Sequence, residues 1–224
     1  MRTRRPANTS VVATAADILV AGIDEVGRGC LAGPVYAAAV ILPAAHGLSG
    51  LRDSKQLNAA QRERLAPQIQ AAAVSWSIGV ASVEEIDRHN ILQATFIAMR
   101  RAVAALAQRP ARCLVDGNQK PPLDLPVETI VGGDGTVECI MAASIVAKVV
   151  RDAYMDELHL AHPHYGWNSN KGYGTPAHLD SLRRHGLTPW HRRGFAPCAQ
   201  LDLPGLHDAA VAESVGAAST VDAP

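Results

Sequence analysis

Four acidic side chains in this sequence stand at the tips of apolar, strand-like runs or beside glycine. They are the adjacent pair Asp24-Glu25, Asp116 in Val115-Asp-Gly117, and Asp134 in Gly133-Asp-Gly135. Burying an ionised carboxylate is unfavourable unless a cation or hydrogen-bond donors compensate. Any one of these acids taken alone is more simply a turn-opening residue, because Asp before Gly commonly begins a turn. The four together, with Asp24 and Glu25 between apolar Ile23 and Val26, point to all-oxygen ligation of a hard divalent cation, Mg²⁺ or Mn²⁺. Carboxylates that hold two such ions about 4 Å apart support in-line displacement at phosphorus, one ion activating water and the other stabilising the leaving oxygen. The reaction class implied is phosphodiester cleavage.

Such a site needs strands to present the acids and helices to cover them. Ile18–Asp24 and Val35–Leu42 read as strands joined across the Gly-rich segment Gly27–Pro34, Ser75–Val80 as a third, and Cys113–Asp116 and Val127–Val131 as two short ones. Ser82 and Glu85 form a capping box for a helix carrying Ile86, Leu92, Phe96 and Met99 and ending near Arg109-Pro110. Thr136 or Asp134 is a candidate cap for a helix running to about Ala161; Thr175, Pro176 and Gly186 bracket another. A helix near Asn58–Leu65 is expected to be interrupted by Pro67. Three successive strands, then helices alternating with two more, give an α/β layer fold with a mixed sheet.

The chain has 224 residues and 48% apolar content, enough for one domain with a substantial core. Residues 1–16 and 204–224 lack periodic patterning and are expected to be flexible tails around a catalytic domain spanning 17–203. Cys30, Cys113, Cys139 and Cys198 form no CxxC pair, which favours reduced thiols in a cytoplasmic protein over a disulfide framework or zinc ribbon. The N-terminal basic residues are followed by Pro6-Ala-Asn-Thr-Ser rather than an apolar run, and no segment is long and apolar enough to span a membrane. No oligomerisation segment is visible, so a monomer is expected. The zero formal charge conceals an asymmetry: residues 161–200 hold five Lys or Arg and five His against the single acid Asp180, whereas residues 201–224 hold four acids and no Lys or Arg. A basic segment of this kind suits a nucleic-acid partner.

Other readings compete for some of these residues. Gly27-x-Gly29-x-x-x-Gly33 misses the dinucleotide-binding spacing and is followed by Pro34 and a strand-like run instead of a helix. His159, His162 and His164, with Cys198, suggest zinc, but Pro163 interrupts them and the spacing fits no common structural site. Lys148 and Asp152 are equally well an i,i+4 surface pair or part of a stripe with Ser144 and Arg151 facing substrate phosphates. Arg183-Arg184 and His191-Arg192-Arg193 are more suited to gripping duplex phosphates than to a merely solvated face, whereas Trp167 and Trp190 are expected to be packing residues.

The run Ala21-Gly-Ile-Asp-Glu-Val-Gly-Arg-Gly-Cys-Leu-Ala-Gly-Pro-Val35 resembles the signature of ribonuclease HII. Asp53-Ser-Lys-Gln-Leu57, Val115-Asp-Gly117, Gly133-Asp-Gly135, Ala142–Asp152 and Lys171-Gly-Tyr-Gly-Thr175 with His178 follow in that family's order, so the resemblance covers about residues 18–198. It implies an RNase H-like mixed five-stranded sheet flanked by helices, with a C-terminal helical extension. It also implies a metal-dependent endonuclease using two Mg²⁺ or Mn²⁺ ions on RNA/DNA hybrids and on ribonucleotide-containing duplex DNA, cutting 5′ of the ribonucleotide. By the same resemblance Asp24, Glu25, Asp116 and Asp134 are the catalytic metal ligands. Gly27, Arg28, Gly29 and Tyr173 sense the ribose 2′-hydroxyl, and Lys55 and Lys148 are candidate substrate-binding residues. Glycine allows close backbone approach, and the 2′-hydroxyl is what separates RNA from DNA. The chain departs from the family pattern at Gly133, where a lysine commonly precedes the fourth acid. The alternatives are another acidic-cluster nuclease or nucleotidyl transferase of the same fold, such as a resolvase or transposase-type enzyme, and a nucleic-acid-binding module without catalysis, which the complete quartet disfavours.

Overall fold

The computed structural model describes residues 18–201, so the expectations for the two tails lie outside the described residues. Five strands form one mixed sheet in the order β3-β2-β1-β4-β5. They are β1 (Val20–Val26), β2 (Val35–Ile41), β3 (Ser75–Ala81), β4 (Arg112–Asp116) and β5 (Val127–Ile130). The first three pair antiparallel, and β1–β4 and β4–β5 pair parallel. The helices are α1 (Ala59–Ala72), α2 (Val83–Ala104), α3 (Glu138–Ala161), α4 (Trp167–Asn170), α5 (Pro176–His185) and α6 (Ala196–Leu201). This is the expected α/β architecture with a helical C-terminal extension, and no described helix is long and apolar enough to cross a membrane.

Strand periodicity divides the core in two. Val35, Ala37, Ala39 and Ile41 of β2 face Ala94, Ala98 and Met99 of α2, while Ala38 and Val40 face Leu65 and Ile69 of α1 and Ala142, Ile145 and Val146 of α3. The alanines of β2 are too small to hold helices off the sheet. Glycine brings α3 closer still: a Cβ at Gly22 would lie 2.2 Å from the Cys139 carbonyl carbon. A third cluster, including Leu31, Met155, Tyr165, Trp167 and Leu182, fastens the extension to the end of α3.

The helices depart from expectation in three places. Helix α1 runs through Pro67 without interruption; Pro67 and Glu63 are exposed, so the carbonyl that the missing N–H leaves unbonded faces water. Helix α2 begins at the expected Ser82 capping box but breaks at Asn90 (φ 68°), whose side chain accepts from the Leu92 and Gln93 amides and so caps a second segment. It ends at Ala104, short of Arg109-Pro110. Neither Asp134 nor Thr136 caps α3: Asp134 accepts from Lys55, the Thr136 hydroxyl donates to the Gly132 carbonyl, and Val137 occupies the cap position. Helix α5 has Thr175 as N-cap, Pro176 in its first turn and Gly186 at its end, as expected.

Candidate active site

Strand β1 continues two residues beyond its expected end, so Asp24 and Glu25 lie within the strand and point to opposite faces of the sheet. Asp24 shares the α3 face with Gly22; Glu25 shares the α2 face with Ala21 and Ile23. The register Ile23↔Val115 with the parallel strand β4 brings Asp116 level with Asp24. A 3₁₀ turn, Gly133–Gly135, then carries Asp134 in beside them: its amide donates to Asp116 Oδ1 at 3.2 Å. Two parallel strand ends and a turn therefore bring together acids far apart in sequence.

A pocket of about 240 Å³ opens at this end of the sheet. It is lined by Asp24, Glu25, Gly27, Arg28, Gly29, Lys55, Asp116, Lys148 and Tyr173, nine of the ten residues expected from the sequence, together with Val26, Ser54, Arg62 and Ser144. Asp134 is joined to the pocket by Lys55, whose Nζ lies 2.7 Å from its Oδ2. Gly133 itself brings no charge to this position. A smaller recess shares Glu25, Arg28 and Asp116 and extends the groove over Gly117, Asn118 and Gln119.

The acids are crowded and largely dry. Asp24 is held well above the usual carboxylate pKa range by burial first and then by repulsion from Glu25, with Asp116 adding to it; hydrogen bonds from Ser144 and the Glu25 amide pull the other way. Glu25 is also raised by burial, partly offset by Arg28, whose Nη1 lies 3.3 Å from Glu25 Oε1. Ser144 is in turn 2.7 Å from Ser54, Oγ to Oγ. These two buried serines were not singled out together by sequence, because only the fold shows that a residue before α1 meets the second turn of α3.

Carboxylate oxygens with raised affinity for protons are sites that a hard divalent cation would satisfy. Asp24, Glu25, Asp116 and Asp134 could hold such ions, with water completing the shell. Among the described residues no three His, Cys, Asp or Glu side chains converge into a finished metal cage. The zinc reading of the histidines fails on packing as well: His164 stacks on His185, His162 abuts Trp167, and Cys198 is buried in the third cluster.

Beside the acids, Gly27 has φ +94°, and a Cβ there would lie 2.2 Å from Arg151 Nε. Any side chain would displace the arginine. Tyr173 is 42% exposed, and its ring carbon Cε1 is 4.0 Å from the position a Gly29 Cβ would take. The turn carrying it is stitched to the glycine loop, since the Leu31 and Ala32 amides both donate to the Gly172 carbonyl. Lys148 pairs with Asp152 at 2.7 Å and lines the pocket.

Two basic residues are corrected. Arg192, expected to grip phosphates, is fully buried, with its guanidinium on the carbonyls of Gly27, Arg28 and Gly33. Arg151, which one of two equal readings put on a stripe toward substrate, is likewise fully buried and donates to the carbonyls of Ala32, Pro34 and Lys171. Trp167 is fully buried, as a packing residue should be.

With this geometry in place, the comparisons with known proteins agree. The family model described as ribonuclease HII matches residues 21–198. The chain is 60% identical over 181 residues to a ribonuclease HII of Paracidovorax citrulli, covering 81% of this chain and 75% of that protein. In fold it is similar to ribonuclease H2 from Pyrococcus horikoshii OT3, with TM-score 0.71 at 24% identity over 83% of this chain and 97% of that one. It is also similar to Bst-RNase HIII in complex with Mn²⁺, with TM-score 0.66 at 22% identity over 87% and 75% of the two chains.

Proposed function

The chain belongs to the ribonuclease HII family and is a nuclease of the ribonuclease H type, and on that premise we propose that it cuts the RNA strand of RNA/DNA hybrids and cuts 5′ of single ribonucleotides embedded in duplex DNA. The observation that carries this reading is the convergence on one pocket of Asp24, Glu25 and Asp116 with the loop Gly27–Gly29 and Tyr173. The acids suit the reacting phosphate, and the loop and Tyr173 suit the sugar beside it.

Asp24, Glu25, Asp116 and Asp134 would hold two divalent cations, Mg²⁺ or Mn²⁺, whose chemistry is to make water nucleophilic and to stabilise the leaving oxygen. The residues around them divide the remaining work. Ser144, backed by Ser54, orients the Asp24 carboxylate. Arg28 restrains Glu25 through its ion pair. Lys55 and Lys148 place ammonium groups at the pocket wall, where they meet the phosphates flanking the scissile bond. Tyr173 offers a ring to pack on the sugar and a hydroxyl that can donate or accept. Discrimination has to come from such groups, because the phosphates of RNA and DNA are alike.

The test is cleavage of duplex DNA carrying one ribonucleotide, with the cut position mapped, beside an RNA/DNA hybrid and plain duplex DNA. Cutting 5′ of the ribonucleotide, dependent on Mg²⁺ or Mn²⁺ and abolished by a chelator, is expected. Cutting of plain DNA at a comparable rate would support a resolvase-like activity instead.

A further inference from the structure

Six backbone carbonyls of the segment 27–34 and of Lys171 are gathered by two guanidiniums that do not line the pocket: those of Gly27, Arg28 and Gly33 by Arg192, and those of Ala32, Pro34 and Lys171 by Arg151. Arg192 is the less expected of the two. It is fully buried, has no carboxylate within ion-pairing distance among the described residues, and packs its Cζ 5.1 Å from the Phe195 ring centroid. Burial pushes its pKa down to about 10. An aliphatic residue would fill such a space without a charge to desolvate, so what the guanidinium contributes is geometric.

That geometry follows from the peptide plane. Arg192 Nη2 takes the Gly27 carbonyl at 2.6 Å and Nη1 takes the Arg28 carbonyl at 2.9 Å. No described peptide bond is cis, and in a planar trans peptide the following N–H points opposite to the carbonyl. The amides of Arg28 and Gly29 are therefore turned away from Arg192. Both residues are exposed and line the pocket, and neither amide has an acceptor among the described residues. The next four amides are all engaged, Cys30 with the Gly27 carbonyl, Leu31 and Ala32 with Gly172, and Gly33 with Trp190. Two consecutive donors thus face the open pocket, and they are the two whose partner carbonyls Arg192 holds.

We propose that Arg192 is a positioning residue for sugar discrimination: by fixing two adjacent peptides it aims the Arg28 and Gly29 amides, as a donor pair, at the 2′-hydroxyl oxygen of the ribonucleotide. This rests on reading the Gly27–Gly29 loop as the ribose sensor. Lysine cannot replace the fork, because an ammonium is a compact point charge and cannot span three carbonyls in a plane.

The experiment measures binding of Arg192→Met and Arg192→Lys to two duplexes identical except for one ribonucleotide, with Ca²⁺ replacing Mg²⁺ to suppress turnover, alongside thermal melting of each variant. The wild type should prefer the ribonucleotide duplex. In Arg192→Met that preference should fall by about tenfold, the scale of a lost hydrogen bond, with plain-duplex affinity and its salt slope unchanged. Arg192→Lys should lie between. A folded variant that keeps the full preference overturns the proposal and leaves Arg192 a packing residue. Equal weakening on both duplexes overturns it in favour of phosphate as the oxygen those amides meet. If Arg192→Met does not fold, Arg192→Lys decides between the same outcomes. A wild type with no preference sinks the ribose-sensor reading itself, whatever the variants do.

Discussion

The ammonium of Lys55 meets the carboxylate of Asp134 at 2.7 Å, joining the turn that precedes α1 to the turn that precedes α3. The hydrogen bond to Asp134 is the main cause that raises the Lys55 pKa, so the lysine stays charged there. A cation of the chain's own thus sits on one of the four proposed ligands.

A metal ion has to share or displace it. The lysine side chain is 78% exposed, so the pair is worth no more than about 1 kcal/mol. Lys55→Ala should therefore tighten Mn²⁺ binding by up to about fivefold in calorimetry without substrate, while weakening affinity for the hybrid duplex. Weaker Mn²⁺ binding in Lys55→Ala would show that the lysine does not compete with the metal at Asp134.

Asp24 carries a prediction of opposite sign for stability and activity. Its folded pKa is raised, chiefly by burial and then by Glu25. Above the ordinary carboxylate pKa its charge opposes folding, and that penalty fades as pH falls through the raised value. At pH 7 and without metal, Asp24→Asn should melt above the wild type, by roughly 2–4 °C for each kcal/mol relieved. Mg²⁺ should stabilise the wild type more than the variant, and activity should drop by about a hundredfold or more. Near-normal turnover at saturating Mg²⁺ would show that the cations bind elsewhere.

Tyr173 separates ring from hydroxyl. Tyr173→Phe should lose little if packing on the sugar dominates, and about tenfold in junction cleavage if the hydroxyl bonds in the transition state. Tyr173→Ala should lose both contributions, with plain-duplex binding nearly unchanged. No loss in Tyr173→Ala would leave the glycine loop as the sole sensor.

Behind Tyr173 lies a buried histidine pair that sets an acid limit on stability. His178 Nδ1 is 2.9 Å from the Tyr173 carbonyl and so carries a proton; His178 Nε2 accepts from Trp167 Nε1 and faces His191 Nε2 at 3.1 Å. His191 Nδ1 accepts from the Thr188 amide, and both rings are neutral in this network. Burial pushes His191 down to about 3, with repulsion from His178 and His162 adding to it, and burial lowers His178 too. Protonation therefore favours the unfolded chain. For His191 the stability contributed is full above about pH 6.5 and is lost as pH falls toward about 3, at up to roughly 1.4 kcal/mol per unit; His178 adds to the loss in the same direction. Urea melts at pH 7 and pH 5 should show this loss, and His191→Phe should reduce it; an equal loss in the variant would place its origin in other groups.

Local chemistry made several elements readable in advance. Ser82 with Glu85 and the sequence Thr175-Pro176 to Gly186 announce helix ends through contacts within a few residues. The acids were legible because a carboxylate in an apolar strand is anomalous wherever the strand goes. Arg192 was not: beside Arg193 it reads as a surface charge by residue type. What decides the matter is the bridge Ala32↔His191 and the bond from the Arg192 amide to the Leu31 carbonyl, which turn one arginine inward, and the partners lie more than 150 positions away in sequence. Pro67 misled for a related reason, because its tolerance depends on which side of α1 meets water.

The bond from Arg192 to the Gly27 carbonyl spans 165 positions. A ribosome delivers those two residues far apart in time, so the nascent chain can pair its central strands and assemble all four carboxylates well before the loop beside them acquires its clamp. If Gly27–Gly29 is the ribose sensor, Arg192 completes it only after all four carboxylates have been synthesised.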